Sequence, residues 1–189
     1  MSGIGHNKGP AMDAGVTYRT FQWRHAQRAM MPKALPLMII KMRVKRAREL
    51  GMDYQTYAKV RQAAGHDILA LMFSSNALRI IGPGARMPDA ETRALEAVSS
   101  ARKLALVHAP NMPSSVLQAN PVLDAADIAP KFTDKWADIR HRLTGFLGDQ
   151  KLPFDKVLII GDAPLEADWS VAARAAGYLP SVRYFAHQM

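Results

Sequence analysis

Val157-Leu-Ile-Ile-Gly-Asp-Ala-Pro-Leu-Glu-Ala-Asp168 passes from an unbroken apolar run into a Gly-Asp turn and then into helix-compatible sequence that extends to residue 176. A short apolar run closed by glycine is the pattern of a strand buried on both faces, and the alanine-rich stretch 166–176 is that of a helix. The same rhythm recurs upstream without any internal repeat. Residues 68–73 read as a buried strand, 88–100 as a helix, 103–108 as a second strand, 131–147 as a helix with Trp136, Ile139, Leu143 and Phe146 at helical spacing, and 156–160 as a third strand. Between these, the proline-bearing stretch 111–130 reads as loop, and 179–185 as a last strand. Alternating strands and helices predict an α/β fold, a Rossmann-like, mainly parallel sheet with flanking helices, whose ligands would sit at the carboxyl ends of the strands.

Charge divides the chain unevenly. The formal net charge is +9, and residues 1–66 hold twelve Lys or Arg against Asp13, Glu49 and Asp53, so the whole excess lies in the first third. That asymmetry predicts a basic helical module at 17–66, preceded by a glycine-containing flexible tail at 1–16 and followed by the α/β domain at 67–189. From residue 17 onward Tyr18, Phe21 and Trp23 are interleaved with Arg19, Arg24, His25 and Arg28, which reads as a short helix ended by Pro32 and Pro36. A surface of this sign suits nucleic acid, an acidic protein face or anionic lipid, and equally a solvated surface that aids solubility.

Residues 37–50 contain no glycine or proline after Pro36 and predict a helix that Gly51 stops. Asp53 stands where an N-cap opens a second helix, 54–64, closed by Gly65. The pair resembles a helix-turn-helix in the length and glycine content of its connection. Plain helical hairpins share those features. On the nucleic-acid reading, Lys41, Arg43, Lys45, Arg46 and Arg48 on the first helix and Tyr54, Gln55, Thr56, Lys59 and Arg61 on the second supply phosphate and base contacts. Apolar residues on several faces of the first helix fit, alternatively, a subunit docked into a larger assembly by its basic arm.

The stretch 157–177, with its strand, Gly161-Asp162, the further acid Asp168 and a helix ending in Ala176-Gly177, resembles the fourth motif of the haloacid dehalogenase-like (HAD) superfamily. The resemblance implies a HAD-like sheet and makes Asp162 and Asp168 candidate magnesium ligands, for an enzyme or sensor of a small phosphorylated or anionic molecule. It covers about twenty residues. The family's first motif needs an aspartate pair after the first strand, where this chain has Phe73-Ser-Ser-Asn-Ala-Leu78, so the catalytic Asp is absent and phosphoryl-aspartate chemistry is not expected. The family's second motif wants Ser or Thr where this chain has Val107-His108-Ala109, and Lys151 or Lys156 would stand in for its lysine. An ordinary Gly-Asp turn, with Asp162 capping the next helix, gives the same sequence.

Ser74, Ser75 and Asn76 after the first strand, and His108 and Asn111 after the second, are the polar groups expected to converge with Asp162 into a ligand pocket. The absence of cysteine removes disulfides, thiolate metal sites and cysteine nucleophiles. No zinc spacing, Gly-x-Ser-x-Gly elbow, phosphate loop or dinucleotide fingerprint is present, and no apolar run approaches the ~20 residues of a membrane span. No secretory signal is evident at the amino terminus, although the Arg-rich, acid-poor start also suits an organelle leader; the cytoplasm is the default expectation. The function expected from these features is a non-catalytic binding or regulatory protein whose basic helices contact nucleic acid or another polyanion.

Overall fold

The computed structural model describes residues 20, 22–24, 35–82 and 84–186. The chain divides into two units, Met1–Leu37 and Met38–Met189. In the first, residues 20 and 22–24 are helical; the expected tail at 1–16 lies outside the described residues. The second unit holds a five-stranded sheet: β1 (Ala70–Ser74), β2 (Arg102–Val107), β3 (Ala125–Ile128), β4 (Val157–Gly161) and β5 (Gly177–Pro180). The strands lie in the order β3-β2-β1-β4-β5, and every pairing is parallel. Among the described residues no helix is long and apolar enough to cross a membrane.

Strand periodicity sorts the core. On one face of the sheet, Leu71, Phe73, Ala105, Val107, Leu158 and Ile160 pack with helices α1 (Leu37–Glu49), α2 (Tyr54–Ala64), α3 (Asp89–Glu96) and α4 (Pro113–Ala119). On the other, Ala70, Met72, Leu104, Leu106, Val157 and Ile159 meet α5 (Trp136–Asp149) and α6 (Ala167–Ala172). Every residue of β1 and β4 is buried because both faces are covered, which is why their sequences are continuous rather than alternating. A last short helix, α7 (Ser181–Phe185), joins the first face, with the Tyr184 and Phe185 rings against Phe73 at 5.4 and 6.3 Å between centroids.

Two local expectations are met in atomic detail. Asp53 caps α2 by accepting the Thr56 amide at 2.9 Å, and Gly65 ends it at φ 75°, in the left-handed region that glycine adopts without strain. Ala47, Leu50, Met52 and Tyr57 share the core with β1, so α1 and α2 belong to the compact unit that begins at Met38. The boundary at 66/67 expected from charge is not where the chain divides.

Other expectations are corrected. Residues 111–130 are not a loop: Pro113 occupies the first turn of α4, where its missing N–H costs nothing, and β3 follows. Residues 179–185 are not one strand, because β5 ends at Pro180 and α7 begins at Ser181. The expected helix 131–147 starts only at Trp136, since the Asp134 carboxylate accepts the Lys131 amide and holds the preceding turn. The helix expected over 166–176 is confined to Ala167–Ala172, the chain leaving it through Arg174 at φ 52°.

The winding locates the site. The chain runs outward from β1 to β2 and β3, crosses back to β4 through α5, and continues outward to β5. Its direction reverses between β1 and β4, and the crevice above their carboxyl ends is where such sheets bind ligands.

Candidate functional site

Three strand ends meet at that crevice: Ser74 closes β1, His108 follows β2, and Asp162 follows β4. The group that joins them is Glu166, at the end of a single 3-10 turn, Pro164–Glu166, and 1% exposed. Its Oε2 accepts from Ser74 Oγ at 2.8 Å, from the Asp162 amide at 2.6 Å and from the Ala163 amide at 3.1 Å. Its Oε1 accepts from Asn76 Nδ2 at 2.8 Å and lies 3.6 Å from His108 Nε2. Such a carboxylate is buried at tolerable cost because the donors surrounding it replace water. Gly161 makes the approach possible, for a Cβ there would stand 2.5 Å from Glu166 Oε2 and 2.7 Å from the Tyr178 ring. Burial, with Glu166 and Asp162 nearby, pushes the Tyr178 hydroxyl above its ordinary range.

His108 is held from three sides. Its amide donates to Ser75 Oγ at 3.1 Å, its Nδ1 lies 3.1 Å from the same hydroxyl, and its ring stacks on Trp169 with centroids 5.6 Å apart. With the Ser75 proton directed to Nδ1, the neutral ring carries its own proton on Nε2, facing Glu166. Burial lowers the imidazole below its usual value, and Glu166 opposes that shift. Serine, histidine and a carboxylate in this sequence have the composition of a nucleophile relay. The geometry serves another end: Ser75 is 1% exposed, and its oxygen is spent on the His108 amide.

Of the expected pocket residues, Ser74, Ser75, Asn76 and His108 are thus brought together, while Asn111 braces a loop by donating to the Gly82 carbonyl at 2.8 Å. Ser74 and Asp162 share the Glu166 carboxylate, which places both at one sheet edge as the strand reading requires. The two candidate magnesium ligands are both exposed; Asp162 accepts from Ser181 Oγ at 2.7 Å, and Asp168 lines a cleft beside Trp169. Magnesium needs free hard oxygens. Those of Glu166 are already bonded to protein donors, and no group of three or more His, Cys, Asp or Glu suited to a metal occurs among the described residues.

The cleft has a volume of about 590 Å³. Glu166, His108 and Trp169 contribute to its lining, as do the large, exposed apolar groups Phe132, Trp136 and Leu165. Sequence reading passed over Glu166, although it lies four residues beyond Asp162, and placed Trp136 only at helical spacing with Ile139, Leu143 and Phe146; its 49% exposure in a lined cavity is the signal of a further role.

On the helical pair, the expected polyanion contacts separate into two sets. Arg46 turns inward, donating to Asp67 at 3.0 Å, to the Ile68 carbonyl at 2.6 Å and to the Ser100 carbonyl at 3.1 Å. Arg61 pairs with Asp67 at 3.3 Å and donates to the Tyr57 hydroxyl. Thr56, expected on the exposed face, is buried, and Tyr54 is half-buried. Lys41, Lys45, Arg48, Gln55 and Lys59 are exposed, with Lys45 3.9 Å from Glu49. Arg43 and Lys45 line a groove of about 580 Å³ together with Arg46 and Arg61.

No family model, no curated protein and no solved structure matches the chain.

Proposed function

We propose that the chain is a non-catalytic, regulatory binding protein that takes a small molecule into the cleft beside Glu166. The observation that carries this reading is the contrast between a closed strand-end centre and an open cleft next to it. At the centre, the carboxylate oxygens of Glu166 and the hydroxyls of Ser74 and Ser75 are buried and bonded to one another, to His108 or to the backbone, so neither serine offers an exposed nucleophile. Beside it, Trp169 forms a wall and Phe132 and Trp136 stand in solvent, the lining expected of a pocket that gains by being filled. The HAD-like resemblance of 157–177 fits this reading as a sheet that keeps the fourth-motif turn without the aspartyl chemistry. Titration of the full chain with a panel of small metabolites, followed by tryptophan fluorescence, should give a saturable change that Phe132→Ala and Trp136→Ala abolish. Magnesium-dependent phosphate-ester hydrolysis lost in Asp162→Asn would overturn the reading in favour of an enzyme.

A second reading, contact with nucleic acid, is favoured by the exposure of Lys41, Lys45, Arg48 and Lys59 on two consecutive helices. Affinity should then fall linearly with salt on a log–log plot, with a slope of roughly 0.9 per phosphate neutralised on duplex DNA. Lys45→Glu with Arg48→Glu should weaken binding to all sequences alike. Absence of nucleic-acid binding at about 50 mM salt, with an acidic protein retained on the same surface, would make that surface a docking face in a larger assembly.

A further inference from the structure

We infer that the cleft beside Glu166 receives an organic cation, a positive charge carried on an apolar or methylated body, between its aromatic side chains and its carboxylates. The inference rests on the reading of the cleft as the ligand site and adds the class of ligand.

Two features of the lining carry it. The first is charge. Asp134, Glu166 and Asp168 line the cleft against the single ammonium of Lys131, and burial disfavours the protonation of His108, with Glu166 opposing that shift. An anion would meet this excess of carboxylate. It would also find the usual anion donors taken, since the Asp162 and Ala163 amides at the turn after β4 both point at Glu166 Oε2. The phosphorylated ligand suggested by the sequence therefore has little to hold it. Asp168, by contrast, is an exposed carboxylate at the cleft wall.

The second feature is the rings. Phe132 is 83% exposed and Trp136 49%, while Trp169 is packed at 4% with His108 stacked on it. Aromatic faces carry negative quadrupole density and attract ammonium groups, most strongly when water is excluded and when the cation's own hydration is weak. A methylated ammonium satisfies both conditions. Its methyl groups cover apolar ring surface, and its charge is balanced by the nearby acids without a strong hydration shell to remove.

The test uses the full chain labelled at its tryptophan indoles and followed by NMR, with Trp23, which belongs to the first unit, as the third indole signal. The probes are tetramethylammonium, choline, the uncharged carbon isostere 3,3-dimethylbutan-1-ol, and inorganic phosphate. Expected are shifts of the Trp136 and Trp169 indole signals with choline, at least about tenfold tighter than with the isostere. Asp168→Asn, an exposed position, should weaken choline by roughly three- to tenfold at unchanged circular dichroism, and phosphate should not compete. Equal or tighter binding of the isostere at the same two indoles would overturn the cation and leave the cleft as an apolar ligand site. Competition by phosphate would overturn it in favour of an anion. Silence of Trp136 and Trp169 towards all four probes would overturn both the cation and the cleft.

Discussion

Glu166→Ala is expected to lower the stability of the chain by about 3–5 kcal/mol, the range seen when one member of a buried charged network is removed. The effect has two parts. Four donors, the Ser74 hydroxyl, the Asn76 amide and the backbone N–H groups of Asp162 and Ala163, lose their acceptor, the first of them fully buried and the others partly so. The loops after β1 and β4 also lose the only side chain that bonds to both among the described residues. Glu166→Gln should cost less, because one carbonyl oxygen survives, but its new NH₂ group must face donors on whichever side it turns. Urea midpoints for the three proteins should fall in the order wild type, Gln, Ala. A midpoint for Glu166→Ala equivalent to a loss under about 1 kcal/mol, well below the range for buried networks, would mean that water replaces the carboxylate and that the centre is less closed than its geometry implies.

Arg46→Ala is expected to cost about 2–3 kcal/mol, whereas Lys45→Glu and Arg48→Glu should leave stability within about 0.5 kcal/mol. The Arg46 side chain is 16% exposed and bonds to Asp67, to the Ile68 carbonyl at the approach to β1, and to Ser100 near the start of β2. Its removal takes the guanidinium donor from Asp67 Oδ2 and from the Ile68 carbonyl, while the Tyr57 hydroxyl and Arg61 still serve Asp67 Oδ1. The partial exposure of Asp67, 38%, lets water recover some of the loss, which is why the figure stays below that for Glu166. Thermal melts of the three variants check the point directly. Equal melting temperatures would return Arg46 to the set of surface cations available to a polyanion.

How much of this was legible in the sequence follows from the range of each interaction. The central strands announce themselves because burial on both faces demands runs such as Val157-Leu-Ile-Ile, and α2 because its cap and its stop, Asp53 and Gly65, are local. The edge strands do not. Ala125-Ala-Asp-Ile and Gly177-Tyr-Leu-Pro are four residues each and half-covered, so tertiary pairing rather than composition makes them strands. Glu166 escaped notice because its role depends on a partner 92 positions away at Ser74 and on the space left by Gly161. Arg46 stands among like-charged neighbours, and only Asp67, 21 residues on, distinguishes it from them. The cleft combines a segment after β3 with one after β4, and no spacing within either predicts the meeting.

The closed hydrogen-bond node also restricts what the sequence can become. An acid gained at position 74 by a single substitution would put a second carboxylate where Ser74 Oγ now lies, 2.8 Å from Glu166 Oε2. Two carboxylates at that distance cannot both ionise, so the pair would hold one proton between them and titrate as a unit. The newcomer would therefore arrive without the full charge a nucleophile or metal ligand needs, in a fold already weakened by the change. Acidic chemistry at this strand end is reached only through a prior loss or reorientation of Glu166, and that step is itself strongly destabilising. Evolution towards hydrolysis at this strand end is thus separated from the present chain by an order of mutations, and not merely by their number.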